Sequence, residues 1–154
     1  MDSINEQDAR TLLSVPHYCD DADPEDWQIL SKPTGAFSFE QGLVDHEGHG
    51  SGLVAEFVFY RSPETGLITV KMSVFSQKKR QPRVRVYQLE IKTKSYNPDN
   101  WHDEAHEHFG KGRTAVPEWK AWKSFSDVLD YFSRTTKIEF RPPLEDPEQL
   151  RLRS

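Results

Sequence analysis

The chain of 154 residues carries 25 acidic and 20 basic side chains, a formal net charge of −5, and only 35% apolar residues, yet it holds nine Phe, five Tyr and four Trp. That length suits one domain with a sizeable core, and the aromatics supply large buried area per residue, which argues against a disordered chain. No apolar run is long enough to cross a bilayer, the single cysteine Cys19 excludes a disulfide framework or a multi-cysteine zinc site, and the acidic N-terminus lacks the apolar core of a signal peptide, so a cytoplasmic protein without membrane contact is expected.

The first dozen residues predict a short helix, with Ser3 as N-cap, Glu6 as its capping-box partner and Pro16 beyond its end. DDADPED, Asp20 to Asp26, is an acidic loop. From Trp27 the pattern becomes β: WQIL, a KPTG turn, then AFSFEQGLV. The polar, glycine-rich DHEGHGSG connects to LVAEFVFY, where Leu53, Ala55, Phe57 and Phe59 share one side. SPETG is a hairpin turn, and LITVKMSVF alternates with Ile68, Val70, Met72 and Val74 facing one way. In RVRVYQLEIKTK the phase slips: Val84 and Val86 share one face, Tyr87, Leu89 and Ile91 the other. Either both faces are partly covered or a bulge sits near Val86 and Tyr87.

Further on, SFSDVLDYFSR is the strongest helix, capped by Ser124, with Phe125, Val128, Leu129 and Phe132 on one stripe that reads as core. TKIEF is β-like. The expected fold is α+β, an antiparallel meander of about five strands with the C-terminal helix on one face and a short N-terminal helix. It forms one globular domain over 1–141, with 142–154 as a loose tail.

Charge is unevenly placed. Asp2 to Asp26 is almost wholly acidic, while Arg61 to Lys94 is mostly basic. The basic run reads either as a polyanion-binding face or as a solvated sheet face that the acidic segment partly neutralises.

The densest chemistry lies in WHDEAHEHFGKGR, Trp101 to Arg113. Gly110 and Gly112 argue against a helix and Asn97 to Asn100 for a preceding turn, so a loop through His102 should enter a strand at about His106. His106 and His108 would then project together, with Glu107 and Phe109 opposite. Three readings follow. Two histidines on one strand face could share zinc or another divalent ion, with His102, Asp103 or Glu104 as a third ligand, although the order His102-Asp103-Glu104-Ala105-His106 does not fit the zinc-protease helix motif. Alternatively, His106 and His108 could act as acid and base on an RNA phosphodiester without a cofactor. Lys111 and Arg113 would contact phosphate, and Tyr87, Trp101 or Trp119 would stack on bases. The third reading is a polar loop whose histidines bond to nearby backbone. His46 and His49 form a weaker pair that could approach His106 or simply occupy a flexible loop. His17 and Cys19 could suggest a nucleophile pair, but no third group orients them and a packed interior Cys reads better.

The stretch YQLEIKTKSYNPDNWHDEAHEHFGKGR, followed by PEWKAW, a helix of the SFSDVLDYF type and TKIEF, resembles small bacterial and phage proteins related to TumE-like toxins. Leu89 and Ile91 match that group's strand, His106 and His108 its H-x-H, Pro117 and Trp119 the next segment and Phe125 to Phe132 the closing helix. The resemblance covers about Arg83 to Phe140, and Thr93 stands where a glycine is expected. It implies an RNA-directed, ribonuclease-like toxin or mobile-element protein with an antitoxin or other protein partner. The alternatives are a non-enzymatic phage- or plasmid-type module that binds a host protein, and a divalent-metal hydrolase.

Overall fold

Alternating apolar residues dominate the middle of the chain, and they build a long sheet with one greasy face. The computed structural model describes residues 3–92, 105–119 and 121–149. These form one nine-stranded sheet, not a meander of about five: β1 (His17–Asp20), β2 (Gln28–Ser31), β3 (Thr34–Val44), β4 (Gly50–Arg61), β5 (Ile68–Ser76), β6 (Val84–Lys92), β7 (His106–Phe109), β8 (Gly112–Ala115) and β9 (Ile138–Arg141). The order is β8-β7-β6-β5-β4-β3-β1-β9, with β2 also on β3. Every pairing is antiparallel except β1 with β9. The strands that the sequence did not show, β1 and β8, are four residues long, as is β9, which falls on the β-like TKIEF. Strands so short carry too few alternating positions to show a period, and tertiary pairing defines them.

Helix α2 (Phe125–Thr136) covers one face. Ser124 caps it, its side chain accepting from the Asp127 N–H at 3.0 Å, and the predicted stripe is buried. Phe132 meets Phe57 edge-to-face with ring centroids 4.9 Å apart and also packs on Tyr87 and Phe140. Leu53, Ala55, Phe57, Phe59, Ile68, Val70, Met72 and Val74 are all at most 4% exposed, as the alternation requires. Helix α1 (Glu6–Leu12) is capped by Asn5, not Ser3; the Asn5 carboxamide oxygen accepts from the Asp8 N–H at 2.8 Å. Ser3 instead forms a lone bridge beside Arg85.

The phase slip in β6 is a bulge. Register steps from Val74↔Tyr87 to Phe75↔Arg85, leaving Val86 without a partner across β5. Val86 and Tyr87 are thereby both buried, and Arg85 comes to the same face as Gln88. The segment 142–149 is not loose. Leu144 is buried, the Trp27 indole N–H donates to the Glu145 carbonyl at 2.9 Å, and Arg61 grips Glu148 through two hydrogen bonds.

Candidate active site on the polar face of the sheet

Period-two geometry puts every second residue of the central strands on the face away from α2. Register aligns two rows across it. One runs Glu40, Glu56, Ser73, Gln88, His108, Arg113; the other runs Ser38, Val58, Lys71, Glu90, His106, Ala115. The H-x-H strand is therefore real. His106 and His108 stand side by side, their rings 5.1 Å apart and nearly perpendicular, while Glu107 and Phe109 turn to the helix face.

His106 is buried, and its Nε2 meets Glu90 Oε2 at 3.1 Å. That contact holds the Glu90 carboxyl down at about 2, with Lys71 and Lys92 helping, so Glu90 is ionised at any ordinary pH. His108 is pushed down to about 4, first by burial and then by the charges of Arg85, His106 and Arg113, which outweigh the opposing Glu90. It is neutral at pH 7, and its Nδ1 is enclosed with no hydrogen-bond partner among the described residues. This pairs a carboxylate-bound imidazole with a neutral one, in reach of two guanidinium groups.

β7 is held in register from below. The Glu107 carboxylate accepts from the Tyr87 hydroxyl at 2.7 Å and the Tyr131 hydroxyl at 3.0 Å, tying the strand to β6 and α2. The β7–β8 turn is two residues long and starts at Gly110 with φ +56°, the first turn position of a hairpin that needs glycine there. The backbone of Ile4 and Asn5 crosses directly above it.

The predicted site residues separate accordingly. His106, His108 and Arg113 come together. Lys111 stands exposed in the turn, past the paired ends of both strands. Tyr87 is a correction: its ring has no exposure and faces α2, so it cannot stack on a base, and Trp119 is buried likewise. Trp101, His102, Asp103 and Glu104 lie outside the described residues. Among those described, no group of three His, Cys, Asp or Glu side chains is placed to hold a metal ion. His46 and His49 flank Glu47 in the exposed β3–β4 hairpin, whereas His106 shares its row with Val58 near the other end of β4. Cys19 is fully buried, and its thiol is pushed up to about 12 by burial and nearby Asp20, which rules it out as a nucleophile.

The strand reading missed Glu90, Ser73, Gln88 and Arg85 as site residues. Gln88 donates to the Ser73 hydroxyl at 3.0 Å and accepts from Arg85 at 3.4 Å, and these with Lys71 line a cavity of about 260 Å3 beside the histidines. The phase slip was a signal for Arg85 alone, because the bulge is what moves it onto the face of the other three. The basic run is only partly free. Arg83 bridges Glu40 and Glu56, which stand opposite each other, and Arg61 pairs with Glu148, so neither depends on the acidic N-terminal segment. No protein-family model, curated protein or solved structure matches the chain.

Proposed function

We propose that the chain is an RNA-directed, ribonuclease-like protein of the toxin or mobile-element kind, acting through His106 and His108 on the polar face of the sheet. The observation that carries this is the adjacent pair of imidazoles in unlike surroundings, one on Glu90 and one neutral beside Arg85 and Arg113. Unlike environments divide acid from base roles. On this reading neutral His108 accepts the proton of the ribose 2′-hydroxyl as that oxygen attacks phosphorus. His106 delivers a proton to the departing 5′-oxygen as the P–O bond breaks, giving a cyclic phosphodiester and a free hydroxyl. Glu90 orients the His106 ring, and the Arg113 guanidinium, opposite His108 in register, faces the phosphoryl oxygens where charge accumulates. A protein antitoxin that masks this face belongs to the same proposal.

The test is incubation of the purified protein with labelled RNA, with and without a chelator, beside a His106→Ala, His108→Ala double variant shown to be folded. Cleavage should survive the chelator and fall by about two to four orders of magnitude in the variant. Loss to the chelator would shift the site to divalent-metal hydrolysis. Undiminished cleavage by the variant, or none by the native chain, would remove the ribonuclease reading.

A further inference from the structure

The bulge in β6 has placed a guanidinium where no carboxylate among the described residues hydrogen-bonds to it, although Glu90 acts on it through space. Arg85 is half-buried; among the described residues its Nε is enclosed without a partner, and its Nη1 and Nη2 reach only Gln88 Oε1 and the Gly110 carbonyl, each at 3.4 Å. Hydrogen bonds of that length are weak, and neither acceptor carries charge. The carboxylates nearest the cavity are already engaged, Glu56 by Arg83 at 2.9 Å and Glu90 by His106 at 3.1 Å. Glu56 itself lines the cavity, with Val58 and Phe75 as apolar wall, and the remaining polar groups are donors or cations. Lys71 stands exposed at its rim, Ser73 has a hydroxyl hydrogen left after accepting from Gln88, and the Gln88 amide has a second N–H. A half-buried cation with neutral partners is stabilised by any anion that can enter.

We propose that the cavity of about 260 Å3 lined by Lys71, Ser73, Arg85 and Gln88 is a phosphoryl-binding subsite, with Arg85 as its principal ligand. It deepens the RNA reading and rests on it for the source of the phosphoryl group, a backbone phosphate next to the bond held at His106 and His108. Gln88 lies directly opposite His108 in register, so a phosphate over Gln88 sits beside the imidazole pair. The subsite selects for a tetrahedral oxyanion through the fork of Arg85 and the two short polar side chains below it.

The experiment measures binding of inorganic phosphate, of a mononucleotide and of a short single-stranded RNA by calorimetry, for the native chain, Arg85→Gln and Lys71→Ala. Each is checked for folding, and each is run in the RNA cleavage assay. Phosphate should bind the native chain, about tenfold more weakly after Arg85→Gln and severalfold more weakly after Lys71→Ala, with the short RNA binding tighter than the mononucleotide. If Arg85→Gln does not fold, the exposed Lys71→Ala variant decides. No phosphate binding, or binding unchanged in the folded variants, overturns the subsite. A mononucleotide that binds as tightly as the RNA overturns the backbone as its source. Arg85-dependent phosphate binding without RNA cleavage keeps the subsite and removes the ribonuclease reading; cleavage untouched by either substitution does the reverse.

Discussion

His108 and Glu90 are both shifted downward, and the shifts have different consequences. The folded chain refuses His108 a proton until about pH 4, while an unfolded chain accepts one near 6.5. The contribution of His108 to stability is therefore level above pH 6.5 and falls as pH drops from there toward 4. Glu90 titrates at about 2 when folded against 4.5 otherwise, so its contribution is full above 4.5 and is lost as pH falls toward 2. Thermal melts should show two successive losses on acidification. His108→Gln should shrink the upper one, leaving the part owed to buried His17, which is also shifted down; identical melting curves for the variant and the native chain would refute the His108 assignment. If His108 is the base, the acid limb of kcat/KM lies near pH 4, and that of kcat lies higher because the bound polyanion offsets Arg85 and Arg113.

At the scale of elements, the H-x-H strand depends on its neighbours more than on itself. β7 has four residues and gains its position from β6, from β8 and from the Glu107 carboxylate between two tyrosine hydroxyls. The β7–β8 turn is the most sensitive point. A Cβ on Gly110 would collide with the Ile4 and Asn5 carbonyl oxygens, in a left-handed conformation that side chains disfavour. Gly110→Ala should cost about 2 kcal/mol or more in chemical denaturation. It should also weaken any activity at the histidines through loss of strand register. Helix α2 supports the other face of the same sheet, and Phe132→Ala should cost about 4 kcal/mol by opening a cavity against Phe57 and Tyr87. Both are read from urea midpoints, and a change below about 1 kcal/mol at either position would contradict the packing described.

For the whole molecule the decisive quantity is where positive charge stands on the polar face. The net charge is −5, and two cations of the basic stretch are held in pairs, Arg83 with Glu40 and Glu56 and Arg61 with Glu148. On the proposed reading the RNA backbone is held chiefly by Arg85, Arg113 and Lys71. About three phosphate contacts predict a log–log salt slope of about −2 for a single strand. A slope several times steeper would mean that a wider basic surface, and not this strip, holds the RNA. No helix among the described residues is long and apolar enough to cross a membrane.

The sequence by itself determined the features that rest on local periodicity and cap chemistry. These are the alternating faces of β4 and β5, the Ser124-capped helix with its apolar stripe, the entry of a strand at His106, and the phase slip near Val86 and Tyr87, of whose two readings the structure chose the bulge. Each follows from apolar spacing, cap chemistry or turn residues within one segment. Tertiary structure alone decided which segments meet. It added the short strands β1 and β8, tied down residues 142–149, sent Tyr87 to the core, and set Glu90 against His106 and Arg85 beside Gln88. The physical reason is that register across strands is a long-range property. A glutamate sixteen positions before a histidine carries no mark of that contact until β6 and β7 pair and bring their side chains onto one face.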